Sequence, residues 1–294
     1  MNITSYVKDI NEQKLRVNSV IVLQKGEKTA EHHWKEDQAR NIFSVSKSFI
    51  AIALGIILDE GKMSLKDRVI EFFPESISAA NNPYLESLTL EHLLTMSRGH
   101  NEFTRPLTVS EALSHKLVYE PGKVFVYDNA CTFLISAMIT KATGLKARDL
   151  LAEKLFTPLS IPDPLWRESD DGFTIGATGL ELSAESLSVF GQFLLQSGNW
   201  NGKQIVSSKW IDGASRTHIS TLNPHTKIIP PPDYNIGYGY QFWTCRHGAY
   251  RADGKDGQFL IVLPQKESVI AITSNEENMK PILYAVWDHI LPQL

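Results

Sequence analysis

The chain has 294 residues, of which 43% are hydrophobic and 21% are charged. This composition is typical of globular proteins and excludes disordered, collagen-like and coiled-coil classes, and the length allows one large or two medium domains. The formal net charge of −4 provides no general attraction to phosphate backbones or anionic lipids, so we expect neither nucleic acid nor a membrane as the main partner.

The sequence carries no visible export signal. Its two cysteines, Cys131 and Cys245, lie far apart without metal-ligand spacing, which excludes a disulfide framework. Residues 1–16 are polar and contain no apolar signal-peptide core. The most apolar run, residues 49–58, is too short to cross a bilayer. We therefore expect a cytoplasmic protein, exported only if this sequence lacks a native signal.

The first elements in chain order are a β-hairpin and a buried helix. Residues 17–24 are β-branched and apolar, residues 25–27 favour a turn, and residues 29–34 favour a returning strand. Residues 44–60 follow a helical pattern that is apolar nearly all round after its first turn, which is typical of a central helix. Gly61 marks its C-terminal end.

Further helices are predicted through the middle of the chain, and strands return near its end. The helical segments are residues 88–96, a segment opened by the capping-box spacing of Thr108 and Glu111, residues 131–143 and residues 183–196. The strand-like runs are residues 238–245, 258–263 and 268–273, and a last helix covers residues 279–291.

This order of elements predicts an α+β fold. We expect a mainly antiparallel sheet built from N- and C-terminal strands and flanked by helices. The sheet domain is placed at residues 1–43 and 172–294, and an inserted helical domain at residues 44–171. We expect the active site in the cleft between the two domains.

Several familiar sites are absent from the sequence. It contains no Gly-x-Ser-x-Gly elbow, Walker loop, dinucleotide fingerprint or His-Glu-x-x-His zinc helix. The neighbouring His32 and His33 lie on a predicted strand, so their side chains point to opposite faces and joint metal ligation is not expected. We predict no metal site and no organic cofactor.

The sequence Ser44-Val-Ser-Lys47 begins the buried helix and can carry nucleophilic chemistry. Residues three apart share a helix face, so Lys47 can reach the Ser44 hydroxyl. The positive end of the helix and burial both disfavour an ammonium, so the pKa of Lys47 should fall and let it act as a base. A second Ser-x-x-Lys, from Ser5 to Lys8, shows that the pattern also arises by chance. The alternative for Ser44 is an N-cap serine beside a solvated lysine.

Two further motifs occur once each. Tyr127-Asp-Asn129 precedes an apolar helix, and Lys255-Asp256-Gly257 leads into the strand-like run at residues 258–263. The alternatives are structural roles, namely a core tyrosine, an asparagine that caps a helix and a solvated turn lysine.

The order Ser-x-x-Lys, Tyr-x-Asn, then Lys-x-Gly before a late strand resembles the serine β-lactamase and penicillin-binding protein superfamily. The likeness is closer to its branch of class C β-lactamases, esterases and 6-aminohexanoate-dimer hydrolases. Phrases such as Gly176-Ala-Thr-Gly-Leu-Glu-Leu-Ser and Gly237-Tyr-Gly-Tyr-Gln-Phe-Trp are similar too, and the resemblance runs from about residue 43 to residue 275. It implies a β-lactamase-like fold.

The resemblance implies a role for each motif residue. Ser44 would be the acylated nucleophile and Lys47 its proton partner. Tyr127 would be the general base in acylation and would activate water in deacylation. Asn129 would orient the substrate amide and the lysine. Lys255 would hold Tyr127 electrostatically and lower its pKa toward a phenolate.

The resemblance also places the oxyanion hole at the backbone N–H groups of Ser44 and Gln258. The third motif departs from the family pattern, because Asp256 stands before Gly257 where the family has Thr or Ser, with Asp253 nearby. In the family that hydroxyl and the lysine bind the carboxylate of penicillins and D-alanyl-D-alanine, which a second carboxylate would repel. Asp256 could instead attract a substrate ammonium, as on a linear amide oligomer.

We therefore predict a serine hydrolase that forms an acyl-enzyme on Ser44 and cleaves a small-molecule ester or amide. One alternative is a β-lactamase or D-alanyl-D-alanine carboxypeptidase that acts on penicillin-like or peptidoglycan substrates. Another is a non-catalytic ligand sensor or scaffold on the same fold. The sequence leaves the oligomeric state open.

Overall fold

The computed structural model describes residues 1–76, 82–225 and 230–294. Its strands are β1 (Val17–Gln24), β2 (Glu27–His33), β3 (Arg40–Asn41), β4 (Glu181–Leu182), β5 (Asn199–Trp200), β6 (Lys203–Gln204), β7 (Trp243–Thr244), β8 (Tyr250–Gly254), β9 (Gln258–Leu263) and β10 (Ser268–Ser274). Six of them form an antiparallel sheet in the order β2-β1-β10-β9-β8-β7. The predicted α+β class, with a sheet built from both ends of the chain, is confirmed.

The helices surround this sheet and fill the segment between its two halves. They are α1 (Thr4–Glu12), α2 (Ser46–Asp59), α3 (Val69–Phe72), α4 (Leu90–Leu94), α5 (Val109–Ser114), α6 (Asn129–Thr143), α7 (Ala147–Leu151), α8 (Ala184–Leu195), α9 (Ser208–Ser215) and α10 (Lys280–Ala285). Helices α7 and α10 continue into wider π-helical turns at Ala152–Phe156 and Val286–Ile290. No helix in the described ranges has the length and hydropathy needed to cross a bilayer.

The sheet buries both of its faces because its side chains alternate. On β1, Val20 and Val22 pack in the core that also holds residues of α1 and α10. Ile21 and Leu23 face the other way, into the core shared with α2 and α8. Burying each such side chain contributes about 1.5–3 kcal/mol, so the alternation fixes which face each helix covers.

Helix α2 is the central helix that the sequence predicts, since its residues from Ser46 to Ile57 are buried. Phe49 stacks on Phe190 of α8 with ring centroids 3.8 Å apart. Gly55 leaves room for the Trp210 ring of α9, which a Cβ at this position would overlap. This core contains residues from both predicted domains, and the domain boundaries stay a prediction.

The predicted strand at residues 238–245 is wrong over most of its length, because only β7 forms there. Gln241 has a positive φ of 65°, and its side chain bonds to the Thr132 hydroxyl and to the Leu94 carbonyl. These side-chain hydrogen bonds fix the segment, which lacks the backbone hydrogen bonds of a paired strand. Strand β8, which the sequence pattern missed, lies between β7 and β9.

Candidate active site

Ser44 lies on a sharp turn immediately before α2. Phe43 adopts a positive φ of 48°, a strained conformation that often marks functional sites. The side chain of Asn41 fixes the turn by accepting hydrogen bonds from the backbone N–H groups of Phe43 (2.8 Å) and Gly179 (3.2 Å). Ser44 caps no helical N–H, so the alternative of an N-cap serine is wrong.

Lys47 lies one turn further along and is 1% exposed. Its Nζ is 3.1 Å from Ser44 Oγ, 2.6 Å from Asn129 Oδ1 and 2.8 Å from the Ala177 carbonyl oxygen. Burial lowers the pKa of Lys47 to about 7, and the Asp128 carboxylate opposes this effect. The Asn129 and Ala177 oxygens can only accept hydrogen bonds, so each takes an N–H group of Lys47. The remaining position on the lysine nitrogen faces Ser44. It donates an N–H when Lys47 is charged and accepts through a lone pair when Lys47 is neutral. The lysine is therefore placed to take the serine proton, and its pKa falls as predicted.

Tyr127 lies on the other side of the lysine, with its ring centroid 5.1 Å from Lys47 Nζ. Burial raises the pKa of Tyr127 well above its usual range, and an interaction with the Ser44 side chain offsets only part of the rise. The Asp253 carboxylate adds to the increase and Arg251 opposes it. The expected lowering of the pKa toward a phenolate is wrong, and Tyr127 is a neutral phenol that can donate a proton.

Lys255 lies at the mouth of the site and does not support Tyr127. Its side chain is 66% exposed, and its Nζ is 3.8 Å from Asp256 Oδ1 and 5.9 Å from the centroid of the Phe43 ring. The charged groups that shift the pKa of Tyr127 lie on β8 instead. The expected electrostatic partnership is therefore not observed, because the Lys255 ammonium remains in solvent.

The rest of the third motif faces away from Ser44. Asp256 and Gly257 have positive φ values of 62° and 81° and form the turn between β8 and β9. A Cβ on Gly257 would meet Ile282 of α10. Gln258 is 1% exposed, and its amide bonds to the Ser274 backbone on β10. Asp256, Gly257 and Gln258 do not line the cavity beside Ser44, so the geometry does not support the substrate-binding role predicted for the first two or the oxyanion role predicted for Gln258.

Strand β8 carries the residues that do reach the site. Gly254 passes so close to Ile42 that a Cβ would overlap the Ile42 carbonyl oxygen, which explains the glycine. Asp253 and Lys255 flank this glycine and line the same cavity as Ser44. Within the described ranges, the backbone N–H groups of Ser44 and Lys255 donate no hydrogen bond to the backbone, so both are free to bind a substrate oxygen.

The cavity has a volume of about 870 Å³, which suits a small molecule. One part of its lining is aromatic and consists of Phe103, Tyr127, Tyr234 and Trp243. The rings of Tyr127 and Trp243 lie nearly parallel, with centroids 5.7 Å apart. Trp243 belongs to strand β7 and also forms a wall of the site.

The charged lining is predominantly cationic. The cations are Arg105, Arg167, Lys255 and Lys280. Asp253 is the acid among the lining residues, and the guanidinium of Arg251 lies 3.0 Å from its Oδ2. Across the described part of the chain, no three His, Cys, Asp or Glu side chains come together as metal ligands.

Asp128, the middle residue of the second motif, holds neighbouring segments of the site together through its hydrogen bonds. It is fully buried and accepts hydrogen bonds from Arg98 Nε (2.6 Å) and from both the N–H (2.9 Å) and hydroxyl (2.6 Å) of Thr104. It also caps α6 through the N–H of Ala130. One carboxylate therefore fixes both the motif and the loop that brings Phe103 to the cavity.

Comparison with known proteins identifies the family of the chain. The Beta-lactamase family model matches residues 3–291. The chain belongs to the β-lactamase family. It is 24% identical to a 6-aminohexanoate-dimer hydrolase of Paenarthrobacter ureafaciens over 90% of this chain and 74% of that protein. A β-lactamase of Escherichia coli K12 is 26% identical over 40% of this chain and 32% of its own length.

Solved structures share the fold of the chain. An octameric penicillin-binding protein homologue from Pyrococcus abyssi superimposes with a TM-score of 0.79 at 19% identity, over 100% of this chain and 78% of that one. A β-lactamase from Mycobacterium bovis gives a TM-score of 0.73 at 17% identity, over 98% of both chains. The predicted β-lactamase-like fold and the resemblance to the serine β-lactamase and penicillin-binding protein superfamily are confirmed.

Proposed function

We propose that this chain is a serine hydrolase that forms an acyl-enzyme on Ser44 and cleaves ester or small amide bonds. The observation that carries the proposal is the 3.1 Å approach of Lys47 Nζ to Ser44 Oγ, made by a buried amine with a pKa of about 7. A lysine that is neutral near pH 7 can accept the hydroxyl proton, and the activated serine then attacks a carbonyl carbon. Similarity to a 6-aminohexanoate-dimer hydrolase supports a hydrolytic reaction.

In acylation, the Ser44 proton passes to Lys47 while Oγ bonds to the carbonyl carbon. The carbonyl electrons move to oxygen. We assign the N–H groups that stabilise this oxyanion to Ser44 and Lys255. Lys255 takes the place of Gln258 because Lys255 lines the cavity and Gln258 does not. Tyr127 donates a proton as the bond to the leaving group breaks, and the proton held by Lys47 restores the phenol. Water then attacks the acyl carbon, returns a proton to Ser44 and releases the acid.

Parallel substrate assays test this proposal. The protein is incubated with a fluorophosphonate probe, p-nitrophenyl butyrate and a chromogenic cephalosporin, beside Ser44→Ala and the matched control Ser5→Ala. We expect labelling and ester turnover in the parent and in Ser5→Ala, and neither in Ser44→Ala. Labelling that persists without Ser44 would exclude it as the nucleophile. A folded protein that reacts with no substrate would favour the non-catalytic sensor.

The charged lining supports a second candidate, a β-lactamase or D-alanyl-D-alanine carboxypeptidase. Asp256 does not line the cavity and so does not repel a substrate carboxylate there; Asp253 does line it, but so do Arg105 and Arg167. A cationic lining favours an anionic substrate group. Cephalosporin turnover that matches the ester rate would establish this candidate in place of the esterase or amidase.

Tyr127→Phe tests the role of the phenol. p-Nitrophenolate leaves without protonation, whereas the alkoxide of ethyl butyrate needs a proton. We expect loss of the phenol to slow ethyl butyrate hydrolysis by about 100-fold or more, and p-nitrophenyl butyrate hydrolysis far less. An equal loss on both esters would show that Tyr127 acts as a base toward Ser44 instead.

A further inference from the structure

We propose that the Ser44 cavity contains a carboxylate-binding subsite, formed by Arg167, Thr178 and Asn41, for the end of the acyl part of the substrate. The substrates would then be esters or amides of dicarboxylic acids in which one carboxyl group stays free. This inference rests on the proposed acyl transfer at Ser44, and it identifies a substrate class for the same cavity.

Gly179 brings the three residues of this subsite together. Its N–H donates to Asn41 Oδ1 at 3.2 Å, and its carbonyl oxygen accepts from the Arg167 backbone N–H at 3.3 Å. A Cβ on Gly179 would lie 2.9–3.2 Å from the Cβ, Cγ and Cδ atoms of Arg167, so only a glycine lets the stem of the arginine pack on this backbone. Thr178 directly precedes the glycine, and all three subsite residues line the cavity.

The subsite lies next to the catalytic pair. Asn41 Oδ1 accepts a hydrogen bond at 2.8 Å from the N–H of Phe43, the residue before the nucleophile. The carbonyl oxygen of Ala177, the residue before Thr178, is 2.8 Å from Lys47 Nζ. Consecutive Cα atoms are about 3.8 Å apart, so an acyl chain of several methylene groups can reach from the nucleophile to the subsite.

The subsite offers donors that have no acceptor in the described part of the chain. Asn41 uses its Oδ1 for two backbone N–H groups, which leaves its NH₂ group available. The Thr178 hydroxyl and the Arg167 guanidinium make no hydrogen bond or ion pair with described residues either. A carboxylate presents two oxygens that match the fork of a guanidinium, and such charge-assisted pairs are stronger than neutral hydrogen bonds. A carboxylate is therefore the ligand that fits these donors.

The charge of the cavity favours the same ligand. Cationic side chains outnumber acidic ones among the described lining residues. The acid of the lining, Asp253, is already paired with the buried guanidinium of Arg251 at 3.0 Å. A substrate carboxylate is therefore attracted to this cavity, whereas a substrate ammonium is repelled.

The geometry assigns the carboxylate to the acyl part of the substrate. In the proposed mechanism Tyr127 protonates the leaving group, which therefore departs beside the phenol. The subsite contacts the lysine at a different point, through the Ala177 carbonyl. In penicillins and D-alanyl-D-alanine the free carboxylate is on the amine that leaves, so this subsite selects other substrates than the β-lactamase or carboxypeptidase candidate would.

Paired esters test the inference on the parent enzyme alone. The mono-p-nitrophenyl esters of adipic, pimelic and suberic acid are each compared with the ester in which an uncharged carboxamide replaces the free carboxylate. We expect kcat/KM to favour the carboxylate by about 10-fold or more for at least one chain length, after subtraction of the Ser44→Ala background. Equal rates within all three pairs, or turnover of p-nitrophenyl butyrate alone, would overturn the inference and leave the serine hydrolase standing. If no ester is hydrolysed at all, the proposed function fails and the inference with it.

Arg167→Gln assigns the preference to the subsite. Glutamine removes the charge and the guanidinium fork, so we expect the ratio of the two kcat/KM values to fall to about one or two, while turnover of the carboxamide ester reports an intact site. Arg105→Gln is the matched control. It removes the same charge from the lining beside Phe103, whose ring lies parallel to that of Tyr127, and it should keep the parent ratio within about twofold. Equal falls in the two variants would reveal a general field of the cavity and overturn the inference.

A second pair of esters tests the assignment to the acyl part. 4-Carboxyphenyl butyrate and 4-carbamoylphenyl butyrate carry the same two groups on the leaving phenol. We expect Arg167→Gln to leave their rate ratio unchanged. A selective loss of 4-carboxyphenyl butyrate turnover in Arg167→Gln would place the carboxylate on the leaving group and overturn the inference.

Discussion

The pH dependence of acylation tests whether Lys47 accepts the Ser44 proton. An ordinary lysine has a pKa of 10.5, and burial lowers that of Lys47 to about 7. The difference corresponds to about 5 kcal/mol of destabilisation of the ammonium. With p-nitrophenyl butyrate, kcat/KM should fall tenfold for each pH unit below 7, because the charged lysine accepts no proton. It should stay level between about pH 8 and 10, because Tyr127 remains protonated over that range.

Lys47→Arg is the matched variant for this profile. A guanidinium stays charged at every pH in the assay, so we expect kcat/KM to fall by about 10²- to 10⁴-fold and the limb near pH 7 to vanish. Ser44→Ala provides the background rate. A midpoint near 10, or the same limb in Lys47→Arg, would refute the reasoning, because another group would then control the activity.

Three further predictions concern stability and are measured by urea unfolding. Between about pH 7 and 10.5 an unfolded lysine binds a proton that folded Lys47 does not, so the free energy of unfolding should rise with pH in this window. Relative to Lys47→Met the rise is up to about 1.4 kcal/mol per pH unit, and parallel pH profiles would contradict it. Asp128→Ala leaves Arg98 buried without its carboxylate and should cost about 3–5 kcal/mol; a loss below about 1 kcal/mol would show that water replaces the pair. Gly55→Ala places a methyl group against the Trp210 ring and should cost about 1–3 kcal/mol, although alanine favours a helix; an unchanged midpoint would show that the ring moves.

The parts of the fold with strong local signals could be predicted from the sequence. Helix α2 is apolar all round, and burial of its residues is what such a pattern requires. Helix α6 ends where the sequence indicates, at the left-handed Gly144, but it begins two residues before the predicted start at residue 131, because the side chain of Asp128 and not that of Asn129 caps it. The contact between Ser44 and Lys47 follows from the same helical spacing. These features depend on residues that are close together in the chain.

The third motif could not be placed from the sequence, because its position depends on the register of β8. The inward positions of β8 include Arg251 and Asp253 instead of apolar side chains, so the strand lacks the hydrophobic alternation that identifies strands. Their burial is compensated by the Asp233 carbonyl and the Tyr234 hydroxyl, which lie 18 and 19 residues away from their partners in the chain. The sequence from Lys255 to Gly257 therefore matches the motif pattern, although only Lys255 lines the cavity.

The opposite pKa shifts of Lys47 and Tyr127 have one physical cause. Burial disfavours the charged form of each side chain, so the amine loses its proton more easily and the phenol holds its proton more firmly. At neutral pH the site therefore contains a proton acceptor, Lys47, beside a proton donor, Tyr127. An environment that moves the pKa values of two neighbouring groups in opposite directions assigns the base role to one and the acid role to the other. Charged neighbours oppose one another at both groups: Asp253 strengthens the shift of the phenol and Arg251 weakens it, while Arg105 strengthens the shift of the lysine and Asp128 weakens it. A substitution that admits water to this pocket should move both pKa values back toward their usual ranges and remove both roles together.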